Sequence, residues 1–254
     1  MDKSEYWNIY KNEEKHFYYI GTHLEIISMV RKYLPYREEN GKCKYNILDA
    51  GCGTGFLTGK LQEFGKIWGV DININALKYA KQRGVMIQKA SVESLPFSDN
   101  FFDLIISIDV LYHKRVDEKG ALGEFFRVLK PGGKLLLKLP AFQLLRGSHD
   151  IVAHTKRRYT KTALSKILTE FGFNEIRLTY LASFLFLPAL FKRPIERWLS
   201  IRPSNAKSDL KMPPLLLNVL LIFFFKVENL FLRFIDLPLG LSIMSISKKP
   251  GLRQ

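Results

Sequence analysis

The sequence predicts an α/β domain built on a mostly parallel sheet. Three observations carry that reading. From Tyr45 onward short apolar runs alternate with segments of helical periodicity, the pattern of repeated βαβ units. A glycine-rich turn, Gly51-Cys52-Gly53-Thr54-Gly55, follows the first run. Another run, Phe102–Ile108, is apolar almost throughout, as a strand covered on both faces should be.

The elements follow in order. Residues 1–35 read as a helical lead-in, crowded with Tyr6, Trp7, Tyr10, Phe17, Tyr18 and Tyr19. From His23 to Leu34 apolar residues recur at helical spacing until Pro35 stops them. Strand one is Tyr45–Asp49, then the glycine turn and a helix over Phe56–Phe64. Strand two, Lys66–Asp71, leads to a helix over Asn75–Arg83, and strand three is Val85–Ala90. After strand four, Phe102–Ile108, a helix over Glu118–Leu129 ends at Lys130-Pro131-Gly132-Gly133, and strand five is Lys134–Leu139. Residues 141–159 read as a polar, basic loop. Thr160 or Thr162 caps a helix that runs to Phe171-Gly172, and strands follow at Glu175–Leu181 and Leu241–Ser247. Residues 182–240, between those strands, are too long for an ordinary connection and are treated as an insertion. The predicted organisation is a lead-in over 1–44, a core domain over 45–181 plus 241–250, and an apolar, basic helical insertion over 182–240.

Bulk properties bound the function. The 254 residues suit one well-buried core, and 47% hydrophobic with 25% charged residues is ordinary for a globular chain. Lys and Arg number 39 against 24 Asp and Glu, a formal charge of +15. That excess suits nucleic acid, anionic headgroups or phosphorylated substrates, and it also serves solubility. Two cysteines, Cys43 and Cys52, make neither a disulfide framework nor a four-ligand zinc site, so no metal is expected. Acids at Asp2, Glu5, Glu13 and Glu14 do not fit a signal or transit peptide, and no apolar stretch reaches the roughly 18 residues of a membrane span. The expected location is the cytoplasm, with room for peripheral contact on the inner membrane face.

The turn at 51–55 is where ligand chemistry concentrates. Its glycines let a ligand approach the backbone, and the spacing is G-x-G-x-G after Asp49, not the G-x-G-x-x-G of dinucleotide sites. A carboxylate at Asp49 repels pyrophosphate and favours the ammonium of an amino-acid moiety. Asp71, at the end of strand two, is placed for a ribose diol, with Ile72 as an apolar face for adenine. Ser91 and Val92 follow strand three toward the adenine edge, and strand four delivers Asp109 to the same crevice. Together these describe a cofactor that joins a nucleoside to an amino acid.

Asp49-Ala50-Gly51-Cys52-Gly53-Thr54-Gly55 resembles motif I of class I S-adenosylmethionine-dependent methyltransferases. Leu95-Pro96-Phe97 with Phe101-Phe102-Asp103, Val110-Leu111-Tyr112-His113 and Arg127-Val128-Leu129-Lys130-Pro131-Gly132-Gly133 resemble the type 11 subgroup over roughly residues 45–140. The resemblance implies a Rossmann-like sheet with an antiparallel last strand, S-adenosyl-L-methionine as cofactor, and methyl transfer as the reaction. Its cofactor residues fall at Asp49, Gly51, Gly53, Gly55, Asp71, Ile72, Ser91, Val92 and Asp109. Many relatives carry an acid where Ser91 stands, which implies a weaker or relocated adenine contact.

An oxygen or nitrogen acceptor benefits from a general base, for which His113 is the first candidate and His149, Asp150 and His154 are the second group. Arg157, Arg158 and Tyr159 are candidates for pairing a substrate phosphate or carboxylate. In the insertion, Leu181–Phe191 and the run from Pro213 to Phe225 are too hydrophobic to stand free in water, with Lys192, Arg193, Arg197, Lys226 and Arg233 around them. A substrate lid, a membrane-interface element and a dimer interface all fit, and extra core is the plain alternative. The first two suit a small-molecule or lipid-like acceptor. An RNA methyltransferase is the rival enzyme, against which no RNA-binding module stands out and Ile108-Asp109-Val110-Leu111 replaces the Asn/Asp-Pro-Pro-aromatic motif of base methylation. A non-catalytic cofactor-binding or membrane-tethering protein is the third reading.

Overall fold

The computed structural model describes residues 3–34, 38–39, 42–43, 45–198 and 211–251. Pro35, Arg197's side chain and the part of the insertion over 199–210 lie outside the described residues. Strands β1 (Tyr45–Ala50), β2 (Gly65–Asp71), β3 (Ile87–Lys89), β4 (Phe102–Ile108), β5 (Leu129–Pro140), β6 (Asn174–Leu181) and β7 (Ser242–Lys248) form one sheet. Its order is β3-β2-β1-β4-β5-β7-β6. Pairs among the first five are parallel, while β7 runs antiparallel to both β5 and β6. This is the Rossmann-like sheet with a reversed last strand. The strand order turns back between β1 and β4, so the crevice at their carboxyl ends is the natural ligand position.

Alternation along the strands builds two cores. Leu48, Ile105, Leu135 and Leu137 face one side, where Leu122 and Phe125 of α5 (Glu118–Val128) and Leu164 and Leu168 of α7 (Lys161–Glu170) cover them. Ile47, Leu104, Ile106, Leu136 and Met244 face the other side, under Ile26, Met29 and Val30 of α2 (Phe17–Tyr33). The helical lead-in is two helices, α1 (Lys3–Asn12) and α2, separated by a turn in which His16 caps α2 by accepting from the Tyr18 amide at 3.2 Å. Of the other helices, α3 (Phe56–Lys60) runs on into a 3₁₀ turn to Phe64 and α4 (Ile74–Gln82) is capped by Asn73. Thr160, not Thr162, caps α7.

The stretch over 141–159 is more ordered than its polarity suggests. It holds a 3₁₀ turn and α6 (Ser148–Val152), because Asp150 accepts from the Gly147 amide and also binds Arg158. Strand β5 starts at Leu129, five residues early, since Leu129 already pairs with Phe102 before the Pro-Gly-Gly irregularity.

The segment between β6 and β7 carries α8 (Phe186–Trp198) and α9 (Leu215–Phe231). Helix α9 lies against α2. Asn218 accepts from the Phe17 amide at 2.9 Å and donates to the Lys15 carbonyl at 2.8 Å. Phe225 is fully buried over Gly21. Glu228 faces Glu25 of α2, and burial, then Glu228's charge, hold Glu25 well above the usual carboxylate range. Glu228 itself accepts from the Ser183 amide through Oε2 at 2.8 Å. The outer face of α9 is exposed.

The seating of α9 has a measurable sign. On an open helix face Gly→Ala stabilises by about 1 kcal/mol. At position 21 a Cβ meets the Phe225 ring at 2.1 Å. Gly21→Ala is therefore expected to destabilise by about 1–3 kcal/mol through overpacking, read as a lower urea midpoint. A raised midpoint would mean that α9 does not seat on α2.

Candidate functional site

The loop after β1 takes an unusual backbone because its neighbours leave no alternative. Gly51, Gly53 and Gly55 all have left-handed φ, at 94°, 54° and 79°. A Cβ at 51 meets Val110 at 2.2 Å, and one at 55 meets Ala80 at 2.8 Å. At Gly53 a Cβ meets nothing within 4 Å. The protein thus fills the space beside the outer glycines and leaves it open beside the middle one, where backbone faces the crevice.

Two carboxyls flank this loop. Asp71, half-buried at the end of β2, accepts from the Gly53 amide at 3.0 Å and the Asn73 amide at 2.8 Å. Each oxygen keeps a lone pair for a further donor. Ile72 beside it is 69% exposed, an apolar surface turned outward. Asp49 is not at the rim, as the sequence suggests, but beneath the loop. It is 2% exposed and accepts from the Thr58 hydroxyl at 2.6 Å. Burial lifts its pKa to about 7, against the Thr58 hydrogen bond and with help from Asp71's charge.

Helix α1 reaches over the same loop, which the aromatic crowding of the lead-in did not reveal. Glu13, just past α1, accepts from the Thr54 hydroxyl at 2.6 Å and pairs with Arg83, which also donates to the Thr54 carbonyl at 2.9 Å. Tyr10 stacks on Tyr79 of α4 at 4.6 Å, and the Arg83 guanidinium lies 4.4 Å over the Tyr10 ring. Tyr6 is close enough to Asp71 and Cys52 that, after burial, their charges also raise its phenol.

Asp109 follows β4 directly, with φ at 56°, a strained conformation for a side-chain-bearing residue. It pairs at 2.5 Å with Lys138 of β5, which is 1% exposed on its side chain. Burial works to lower the Lys138 pKa, but Asp109 and Tyr18 outweigh it and the ammonium is held charged. Tyr18 stands 3.4 Å from the Lys138 Nζ and 3.2 Å from the Ser242 hydroxyl. Sequence reading missed Lys138 and Tyr18 because a lysine within an apolar strand shows its partner only in three dimensions.

Several candidates are placed differently from their sequence-based roles. Val92 is a core residue packed with Leu95 and Phe102, so only its backbone can face a ligand. The Ser91 hydroxyl accepts from the Glu93 amide at 3.2 Å. Arg158 is taken up by buried Asp150, at 2.8 and 3.1 Å, and by the Ala141 carbonyl, which leaves no free guanidinium edge for a substrate. Tyr159 is 1% exposed, and its hydroxyl donates to Glu118 at 2.9 Å. Arg157 pairs with the same Glu118 and stacks on Tyr159 while staying partly open. His113 and His154 come together, ring centroids 5.6 Å apart. Burial, with His154 and Arg115, pushes His113 down to about 4, so it is neutral at neutral pH. His149 sits half-buried on α6, its Nδ1 without a hydrogen bond.

Comparisons with known proteins agree on one family. Residues 48–137 match the family described as Methyltransferase domain. An uncharacterized protein of Methanocaldococcus jannaschii is 33% identical over 168 residues, 66% of this chain and 68% of that protein. The ubiquinone/menaquinone biosynthesis C-methyltransferase of Cronobacter sakazakii is 38% identical over 119 residues, 41% of this chain. That match spans 47% of the relative, about half its length. A solved SAM-dependent methyltransferase of Thermotoga maritima superimposes at a TM-score of 0.59 with 17% identity, covering 96% of this chain and 99% of that one. At that identity the likeness speaks for the fold.

The buried ion pair sets a test of role. Arg158→Ala strands the Asp150 charge in the interior and is expected to cost about 3–5 kcal/mol, read by urea unfolding. Arg157→Ala, at a partly open site, is expected to stay within about 1 kcal/mol. A wild-type midpoint for the Arg158 variant would return that residue to the list of ligand contacts.

Proposed function

The chain belongs to the class I S-adenosylmethionine-dependent methyltransferases, and from that premise we propose that it methylates a small, lipid-like acceptor at or near the cytoplasmic face of a membrane. The observation that carries the cofactor reading is the open space at Gly53 between Asp71 and buried Asp49. Two carboxyls oppose a pyrophosphate and favour a cationic amino acid joined to a nucleoside. Asp71 has acceptor capacity left for a ribose diol, and Ile72 offers an apolar surface for the base. The residues therefore fit S-adenosylmethionine, which supplies an electrophilic methyl carbon on a sulfonium when bound.

The chain's own contribution is alignment and dryness more than acid–base chemistry. The glycine backbone and Asp71 fix the nucleoside end. Helix α1, held by Glu13 and Arg83, closes water away from the loop. The Lys138–Asp109 pair stiffens the end of β4 beside it. His113 is neutral at working pH but a weak base, because burial opposes its protonation. The lipid-like acceptor is supported by the quinone-pathway relative and by the exposed apolar faces of α8 and α9, with residues 182–240 as the acceptor-side unit.

Two binding measurements test this. By calorimetry, Asp71→Ala is expected to weaken S-adenosylmethionine by about 1–3 kcal/mol through lost ribose hydrogen bonds. Unchanged affinity would displace the cofactor from β2. The second test follows from Asp49. Its raised value means the protonated form favours the ligand-free fold, a contribution full below its ordinary value and lost as pH rises through about 7. A cationic ligand favours the ionised form. Affinity should thus fall by up to about tenfold per unit as pH drops below 7, and Asp49→Asn should flatten the profile. A flat wild-type profile would show that Asp49 does not sense the ligand.

A further inference from the structure

Helix α9 is amphipathic in the inverse sense. Of its four polar residues, Asn218, Glu228 and Asn229 are buried, and only Lys226 faces out. The buried stripe runs through 218, 225, 228, 229 and 232, the helical spacing of one face. The opposite face is Leu and Phe, with Leu216 at 85% exposure, Leu220 and Phe223 also exposed, and Phe234 just past the helix at 81%. A shallow apolar groove between Phe184, Phe224, Val227 and Phe231 opens on the α9 side. A water-facing helix has no physical reason to hide its amides and carboxyl while presenting its largest apolar side chains.

We propose that the outer face of α9, with Phe234 and Ile235, docks in the plane of an anionic lipid bilayer. This deepens the lipid-like acceptor reading by naming the surface on which that acceptor is met. Length excludes crossing: 17 residues span about 25 Å, against about 30 Å of hydrocarbon, and among the described residues no helix is long and apolar enough to cross. Charge chooses the occupant. Over 211–240 the acids are Glu228, buried, and Asp236, ion-paired with Arg177, whereas Lys211, Lys226 and Arg233 are all exposed. Lys32 of neighbouring α2 is exposed as well and donates to the Arg233 carbonyl. A second copy brings the same cations to the interface and another +15 of net charge. Anionic headgroups complement the basic residues while the acyl boundary takes the Leu and Phe.

The test is co-sedimentation of the full chain with phosphatidylcholine vesicles, with and without phosphatidylglycerol, at low and high salt. Expected is binding to the anionic vesicles that persists in part at high salt, since burial of Leu and Phe is not screened. Leu216→Ser, Phe223→Ser and Phe234→Ser together should weaken it by more than about tenfold. In Phe223→Trp the tryptophan emission should shift to the blue on vesicle addition. Absence of binding to anionic vesicles overturns the proposal. So does binding that high salt abolishes and the triple variant leaves intact, or a dimer that the triple variant dissolves. Calorimetry with S-adenosylmethionine on the same samples separates the outcomes: retained cofactor binding without vesicle binding removes the docking surface and leaves the methyltransferase assignment standing.

Discussion

The left-handed backbone at the end of β1 is the constraint from which the rest of the site follows. Val110 presses against Gly51, and Ala80 presses against Gly55, so the loop has no room for side chains at either end. With both ends fixed, the Gly53 amide is aimed at Asp71 and the backbone at the middle of the loop is bared. Strand order places β1 between β2 and β4, so Asp71 and Asp109 arrive on either side of that exposed stretch. None of these positions depends on a flexible side chain finding its place.

Helix α2 links this crevice to the insertion. Near its start Tyr18 touches Lys138, which holds Asp109; the adjoining Lys15 and Phe17 backbone is gripped by Asn218 of α9. Further along, Gly21 admits Phe225, and the buried carboxyl of Glu25 faces that of Glu228. Asn218, Glu228 and Asn229 of α9 are thus committed inward, and Leu, Phe and Lys226 are what remains for its outside. The two halves of the molecule meet through one helix that touches both.

The glycine loop, the βαβ rhythm and the β4 boundaries were legible because each is a local property of consecutive residues. Phe102–Ile108 reads as a strand from its own composition, and Asp71 is found by counting from the loop. What escaped depends on distant partners. Arg158 and Tyr159 look like free ligand groups in a basic run until Asp150 and Glu118 come to meet them. Asp49 looks exposed beside glycines but is covered by the loop it precedes. Lys138, Tyr18, Glu13 and Arg83 carry no motif, since each acts through a residue far away in the chain. For the insertion, hydrophobicity alone could not tell inward from outward; the three buried polar residues of α9 do.

The site is not confined to the segment that carries the family's signature. Residues 48–137 hold the glycine loop, both flanking carboxyls and Asp109. Yet Glu13 closes over Thr54 from the first helix side, and Lys138, which steadies Asp109, lies one residue beyond the segment's far end. A fragment cut to the signature would keep every motif and lose part of the wall around it. The module that sequence comparison recognises and the module that can stand alone have different borders in this chain.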